Sequence, residues 1–199
     1  MNKQISIYNV CVFLLLIFSF PLASVLPAPI GWENGFIENT QVVLILLSSL
    51  LALSFNGSNV KSFALPTGIT FLLMTYRELS WGRVFLTPTR ITAMGPSFPS
   101  IHTFQYYQVF YVFLALIIFT ALVLFYKRFN WEKFSKIPLP QMSICLVVLA
   151  MICHFLGEHH YLPVLSNPQA QIFEELSETV IYLEILYLTI YYKLENKSV

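Results

Sequence analysis

The sequence is poor in charge and contains no aspartate, so all ten of its acidic residues are glutamates. Only 11% of the 199 residues are charged and 57% are hydrophobic, whereas a soluble domain usually carries about 25% charged residues. The formal net charge of +1 supplies no basic surface for nucleic acid. No glycine-rich phosphate loop of the Walker or Rossmann type occurs. The composition therefore predicts a membrane protein and argues against nucleic acid as a partner.

Cysteine is also scarce. The three cysteines, Cys11, Cys145 and Cys153, all lie within apolar runs. Along one helix, Cys145 and Cys153 are predicted to be about 12 Å apart, at about 1.5 Å rise per residue, which is too far for a disulfide. We interpret all three as small buried apolar side chains. They indicate nothing about the redox compartment.

Six apolar segments are long enough to cross the hydrocarbon core, which needs about 20 apolar residues. Each must be helical, because lipid offers no hydrogen-bond partner to a free backbone amide. The prediction is an all-α fold, a single domain of six transmembrane helices over residues 1–199. The predicted spans are 8–26, 36–55, 62–81, 106–126, 140–159 and 173–192.

The first span has an alternative interpretation as a signal peptide, because Lys3 precedes it and "PLASVLPA" loosely resembles a cleavage site. Its length favours an uncleaved helix.

The loop 82–105 is rich in proline and aromatic residues, and we predict that it folds over the outer membrane face as a cap.

Lysine and arginine in the loops predict the orientation of the chain. With the N-terminus in the cytoplasm, eight basic residues fall inside and only Arg77, Arg83 and Arg90 fall outside. The inner set is Lys3, Lys61, Lys127, Arg128, Lys133, Lys136, Lys193 and Lys197. We therefore predict that both termini are cytoplasmic and that the outer face is the functional one.

Counting back from the inner ends of the spans places many ionisable side chains in one layer near the outer boundary. Ionisable groups at this depth are costly and normally face the bundle interior or a wet cavity, so we predict an enclosed polar vestibule. The layer and its adjoining loops hold seven of the ten glutamates and all four histidines: Glu33, Glu38, Glu78, Glu158, Glu174, Glu175, Glu178, His102, His154, His159 and His160. The alternative is an interfacial belt of salt bridges, with Trp32 and Trp81 as aromatic anchors.

Residue type and helical spacing suggest roles within the vestibule. His154 and Glu158 share one helix face, and with His102 they are candidate ligands for a divalent metal such as zinc. Neighbouring glutamates should repel each other unless a metal, an arginine or a proton lies between them. The candidate catalytic residues are Glu78, Glu174 and Glu178, and the candidate substrate-binding residues are Arg77, Trp81 and Glu38. Glu184, near the middle of the sixth span, is either a buried neutral side chain or part of a proton path.

Two stretches resemble a pattern found in uncharacterised bacterial inner-membrane proteins. "RELSWGR" (Arg77–Arg83) matches their Glu, Ile or Leu, Ser-Trp-Gly, Gln or Arg sequence, and "ENGFIE" (Glu33–Glu38) matches an acidic turn before the second span. The matching positions are Glu33, Gly35, Glu38, Glu78, Ser80, Trp81 and Gly82. The resemblance covers the second and third spans. It implies a multi-pass protein of the bacterial inner membrane but no activity.

The chain is also similar to the alkaline ceramidase superfamily of membrane hydrolases in size, span number and acid and histidine content. Those enzymes use an aspartate and a His-x-x-x-His pair. This chain has no aspartate and has His154-x-x-x-Glu158 instead. The similarity therefore implies a shared architecture alone.

Three functions stay open on this evidence. The first is a metal-dependent enzyme acting on a lipid or lipid-linked substrate at the outer, periplasmic face, where the metal polarises a substrate oxygen. The second is a non-enzymatic transport, sensing or assembly protein that uses the vestibule to bind a small molecule or relay protons. A haem- or quinone-based redox protein ranks last, because only His154 lies clearly within a span. Membrane lipids are the predicted partners, and the sequence indicates no oligomeric state.

Overall fold

The computed structural model describes residues 3–55, 61–92, 94–128, 132, 138 and 140–195, without the side chains of residues 3–6, 61–63, 128 and 195. Most of this chain is helical. The long helices are α1 (Lys3–Val25), α2 (Phe36–Leu53), α3 (Lys61–Glu78), α4 (Tyr107–Arg128), α5 (Gln141–Glu158) and α6 (Asn167–Glu195). Short 3-10 helices cover Ala28–Gly31, Ser80–Phe85 and Ile101–Thr103. The strands β1 (Arg90–Thr92) and β2 (Gly95–Ser97) form an antiparallel hairpin with Ile91 opposite Pro96.

Four of the described segments are long and apolar enough to cross a membrane: 7–25, 28–53, 107–127 and 141–158. The most apolar of them, on α4, leaves large side chains such as Phe113 and Phe119 more than 60% exposed. A continuous apolar surface of this kind is stable against lipid rather than water. The described chain is therefore mostly helical, as predicted, and its four long apolar segments are suited to a membrane. The other two long helices, α3 and α6, carry more charged side chains and are not among the segments that are long and apolar enough to cross a membrane.

Some of the basic residues on which the predicted orientation rests lie outside the part of the chain that the structure describes. This applies to Lys133, Lys136 and Lys197 of the inner basic set, and to the side chains of Lys3, Lys61 and Arg128.

The chain divides into two compact units. Unit 1 comprises Met1–Leu44, Thr89–Ser97 and Leu139–Ile185. Unit 2 comprises Ile45–Pro88, Phe98–Pro138 and Leu186–Val199.

Unit 1 is held together by α1, α5 and α6, which share two apolar clusters. The first cluster joins Val12 and Leu16 of α1 to Leu146 and Ala150 of α5 and Val180 of α6. The second cluster, which lies further along α1, joins α1, α2 and α6, and Cys153 of α5 packs against it. Its buried members are Ala23, Ile37, Leu165, Ala170, Ile172, Phe173 and Leu176. Along α1 and α5 the first cluster comes before the second, whereas along α6 it comes after the second. α5 therefore runs parallel to α1, and α6 runs antiparallel to both.

A close approach of α5 and α6 fixes the site described below. Gly157 is buried on α5, and a Cβ atom there would lie 3.0 Å from the Cβ and from the backbone nitrogen of Glu174. Only a residue without a side chain allows the two backbones to come this close. Glycine at this position therefore brings the first turns of α6 against the last turn of α5.

Unit 2 is built on α3. It packs against α4 and against the C-terminal half of α2, where a Cβ atom on Gly68 would lie 2.5 Å from Leu53. The buried Ser49 hydroxyl donates a hydrogen bond of 2.8 Å to the Gly68 carbonyl oxygen. Near the end of α6, Lys193 donates to the Ser54 hydroxyl at 2.7 Å. Small residues and a hydroxyl at a helix contact are typical of packing in membranes.

Candidate functional site

In unit 1, a buried glutamine joins α2 to the acidic part of α6. Gln41 is 0% exposed. Its Nε2 donates to the Glu175 backbone oxygen at 2.8 Å, to the Glu175 carboxylate at 3.0 Å and to the Thr179 hydroxyl at 3.2 Å. A neutral amide thus holds the Glu175 carboxylate in place without cancelling its charge.

Three further carboxylates surround Glu175. Those of Glu38, Glu174 and Glu178 all lie within electrostatic range of it. Glu178 accepts a hydrogen bond of 2.8 Å from the Tyr182 hydroxyl, and Glu38 accepts one from the backbone N–H of Asn34. We call these four glutamates the carboxylate cluster. Like charges so close together favour the uptake of a proton or of a cationic group.

A histidine lies beside the carboxylate cluster. The Nε2 atom of His154 is 3.8 Å from Glu158 Oε2, and its Nδ1 atom is 4.0 Å from Glu174 Oε1. That buried Nδ1 atom makes no hydrogen bond within the described residues. His159 lies 3.8 Å from Glu158 as well, but its Nδ1 atom is 3.1 Å from the Phe155 carbonyl and its ring packs on Phe155. At 4.0 Å, proton transfer between the His154 imidazole and the Glu174 carboxylate needs a bridging water or a small side-chain movement.

The predicted metal site finds no support in this geometry. Within the described part of the chain, no group of three or more His, Cys or Glu side chains is placed to hold a metal ion. His154 and Glu158 do approach each other in unit 1. The third predicted ligand, His102, belongs to unit 2, where it is exposed and packs edge-on against Tyr107, with ring centroids 5.0 Å apart.

The adjacent Arg77 and Glu78 of unit 2 form an ion pair. Arg77 Nη1 donates to Glu78 Oε1 at 3.0 Å, and the two side chains are 58% and 7% exposed. The long arginine side chain therefore extends outward while it neutralises a buried carboxylate, as snorkelling residues do at a membrane boundary. This pairing explains how adjacent charges are tolerated at the end of an apolar helix.

The "SWG" sequence that follows forms a left-handed turn. Ser80, Trp81 and Gly82 all have positive φ, at 46°, 57° and 85°. α3 therefore ends at Glu78, three residues before the predicted end of the third span. Such backbone costs about 1 kcal/mol or more for each residue with a side chain. The turn directs the Trp81 ring against Tyr76 and Phe110, with ring centroids 5.6 and 6.2 Å apart.

The other motif, "ENGFIE", is a turn as well. Asn34 has φ 61°, and the Asn39 amide donates to the carbonyl oxygens of Asn34 and Gly35 at 3.0 and 2.8 Å. A Cβ atom on Gly35 would lie 2.5 Å from the Trp32 carbonyl oxygen. The residues of this motif thus shape the start of α2, and the bond to Asn34 gives Glu38 a structural role there.

Unit 2 contains a groove between α3 and α4. Two hollows of about 610 and 630 Å³ share Tyr76 and Phe110 as wall residues. One lies along the helices, with walls of apolar side chains such as Leu73 and Leu114. The other is lined by aromatic residues and by Arg83, the one charged side chain among the described residues around it. We call the two hollows together the α3–α4 groove.

The predicted cap loop is divided between the units. Its hairpin belongs to unit 1, where a Cβ atom on Gly95 would lie 2.8 Å from the Trp32 ring. Gly95 has φ 109°, a backbone conformation that glycine adopts readily and other residues rarely do. Trp32 therefore packs against the hairpin backbone. The segments on either side of the hairpin belong to unit 2, and Phe85 and Phe104 from them line the α3–α4 groove.

Sequence reasoning missed the neutral members of these sites. Gln41 and Tyr182 position carboxylates, and Tyr76 and Phe110 build the groove. For Gln41 a signal was present, because a lone glutamine in the apolar run "QVVLILL" needs a hydrogen-bond partner inside a membrane. The aromatic residues gave no signal, since lipid-facing helices are rich in them.

No protein-family model, no curated protein and no solved structure matches this chain.

The hydrogen bonds of Gln41 predict a large effect for Gln41→Leu. The leucine fills a similar volume but removes three hydrogen bonds and leaves the Glu175 carboxylate without its amide partner. We expect a loss of about 1–3 kcal/mol in stability, measured by unfolding of the purified protein in detergent. The control is Thr40→Val, because the Thr40 hydroxyl bonds only within its own helix turn. Equal stabilities for the two variants would contradict the proposed bridging role.

Proposed function

We propose that this chain is a multi-pass membrane protein that binds a lipid with an anionic head group in the α3–α4 groove. This retains the lipid-directed part of the sequence-based hypothesis and does not require catalysis. The observation that supports it best is the pair of hollows that share Tyr76 and Phe110 as wall residues, one apolar and one aromatic with an arginine.

The shape and chemistry of the groove match the two ends of an amphiphile. An acyl or isoprenoid chain gains contact along the apolar hollow beside Leu73 and Leu114. Each hollow is in the range of about 300–1,000 Å³ that ligand sites usually have. The tyrosine and tryptophan side chains of the aromatic hollow are typical of the depth at which lipid head groups lie.

Arg83 determines the preferred charge of the head group. Its Nε donates to the Ser80 carbonyl oxygen at 3.0 Å, which orients the guanidinium from the left-handed turn. A guanidinium fits phosphate and carboxylate oxygens and forms charge-assisted hydrogen bonds with them. The groove therefore favours an anionic lipid over a zwitterionic one.

The proposed topology has six spans with both termini in the cytoplasm. Four spans rest on length and apolarity. We add α3 and α6, because their charged residues are concentrated toward the helix ends, apart from Glu184, and because the basic residues of the loops favour this orientation. The sequence resemblance suggests a bacterial inner membrane, and that assignment stays a prediction.

A second function, proton relay or binding of a cationic group, is favoured by the carboxylate cluster. Glu175 lies among three other carboxylates, and Gln41 is neutral. His154, 4.0 Å from Glu174, offers an exchange partner for protons. This arrangement supports the non-enzymatic alternative without any need for a metal ion.

The anionic-lipid proposal predicts a selective effect of Arg83→Gln. Native mass spectrometry of the detergent-purified protein should show about tenfold weaker binding of phosphatidylglycerol, the equivalent of about 1.4 kcal/mol. Phosphatidylcholine binding should change little. Arg83→Lys keeps the charge and should retain much of the preference, and Arg90→Gln, on the exposed hairpin of unit 1, should behave as wild type.

A groove-filling variant tests the same proposal at the apolar end. Leu114→Trp should weaken binding of both lipids, because it occupies the space for the chain. If Arg83→Gln and Leu114→Trp both bind the two lipids as wild type does, the groove is not the lipid site.

The six-span topology predicts the labelling of single cysteines. In a background with Cys11, Cys145 and Cys153 replaced by alanine, Val164→Cys should react with a membrane-impermeant maleimide in intact spheroplasts. Glu132→Cys should react only after permeabilisation. Labelling of both positions from one side would exclude the topology.

The proton-relay candidate predicts a flux that depends on Glu175. Proteoliposomes with an internal pH dye and an imposed membrane potential should acidify with wild type and about tenfold more slowly with Glu175→Gln, a loss typical of a removed proton-transfer group. Glu158→Gln serves as the control, because that side chain is 54% exposed. Wild-type flux equal to that of empty liposomes would reject the relay.

A further inference from the structure

Unit 1 contains a second polar site, one helix turn away from the apolar cluster of Val12, Leu146 and Val180. Glu184 and Ser143 are 0% exposed and Asn9 is 8% exposed. Four of their oxygen atoms are buried and make no hydrogen bond within the described residues: Asn9 Oδ1, Ser143 Oγ, Glu184 Oε1 and Glu184 Oε2. Buried polar atoms almost always have a partner, so a group of four without one indicates a ligand.

Helix geometry brings the three side chains to one level. Val12, Leu146 and Val180 pack in a single cluster. Asn9 precedes Val12 by three residues and Ser143 precedes Leu146 by three, while Glu184 follows Val180 by four on the antiparallel α6. Each step is about one helix turn in the same direction. The three side chains therefore form the next layer on the same helix faces.

Two contacts support this placement. The hydroxyl of Tyr8, next to Asn9, donates to the Leu183 carbonyl oxygen, next to Glu184, at 2.8 Å. The Ser143 hydroxyl lies near enough to the Glu184 carboxyl to act on its charge, although the two do not meet the geometry of a hydrogen bond. The α1, α5 and α6 residues of this layer thus surround a common point.

We propose that Asn9, Ser143 and Glu184 form a binding site for a small monovalent cation such as sodium. The donor atoms are all oxygens, the ligands that hard cations prefer. The site has one carboxylate, whose single charge is balanced by a single positive charge. A divalent ion would leave one charge unbalanced in a buried place, which is costly.

Unpaired status of the carboxylate strengthens the assignment. Within the described part of the chain, Glu184 takes part in no salt bridge. A water molecule would satisfy hydrogen bonds but leave the charge buried. A cation satisfies both the oxygens and the charge, and it joins α1, α5 and α6 at this layer.

The test is the thermal unfolding midpoint of the full chain in detergent, at constant ionic strength, in sodium, potassium or N-methylglucamine chloride. A cation that binds only the folded state raises its stability, so sodium should raise the wild-type midpoint by about 5 °C at saturation. N-methylglucamine is too large to enter and should have no effect. Equal midpoints in the three salts would overturn the proposal.

Variants identify the site. Glu184→Gln should abolish the sodium effect, and Ser143→Ala should raise the sodium concentration for half effect about tenfold, as expected from the loss of one good ligand. Ser19→Ala is the matched control, because the buried Ser19 hydroxyl already donates to the Leu16 carbonyl oxygen at 2.6 Å. It should keep the full sodium effect.

Two further results would decide against the site. A sodium effect that persists in Glu184→Gln places the ion elsewhere, and a full effect in both Ser143→Ala and Asn9→Leu removes their role as ligands. If Glu184→Gln does not fold, the Ser143 and Asn9 variants alone decide. The outcome is independent of the lipid proposal, since that depends on unit 2 and on a different measurement.

Discussion

The need to satisfy every polar group inside an apolar solvent governs this structure. Lipid offers no hydrogen bonds, and buried polar atoms without partners are costly. Most hydroxyl groups within the helices meet this need locally. Ser19, Thr75 and Ser177 each donate to the carbonyl oxygen three or four residues earlier, at 2.6–2.9 Å. Gln41 meets it across helices, and the bonds that it makes place the carboxylate cluster. The same rule makes the unsatisfied layer at Glu184 informative, because it is an exception.

Much of the fold follows from the sequence. The apolar runs locate the long helices to within a few residues at most ends, since length and apolarity are direct consequences of the membrane. Two ends differ. The third span ends early because of the left-handed turn at Ser80, which residue types do not reveal. The last helix begins at Asn167, before the predicted start at residue 173. There Gln169 accepts hydrogen bonds from the Ser166 backbone N–H and hydroxyl, both at 2.9 Å, a capping-box signal that the sequence offered.

The sites were less predictable than the fold. Counting depth along the spans selected Glu38, Glu174 and Glu178, which do lie near Glu175, because charge is rare enough in this chain to stand out. It also selected His102, whose ring packs against Tyr107 and Tyr111 and whose role as a ligand stays a prediction. One-dimensional depth cannot separate side chains that face one another from side chains at the same height on different faces. The enclosed, wet vestibule stays a prediction, and so does the role of each acid in it.

The acidic character of α6 has a consequence for how the protein is made. On the proposed topology this helix is synthesised after the other five, and it carries Glu174, Glu175, Glu178 and Glu184. Charged residues near the centre of a helix weaken its insertion through the translocon. Gln41 on α2, which bonds Glu175, and His154 on α5, which lies beside Glu174, are translated earlier. The helices that α6 packs against are therefore already synthesised when α6 emerges. Its entry into the bilayer becomes the step that completes biogenesis of unit 1.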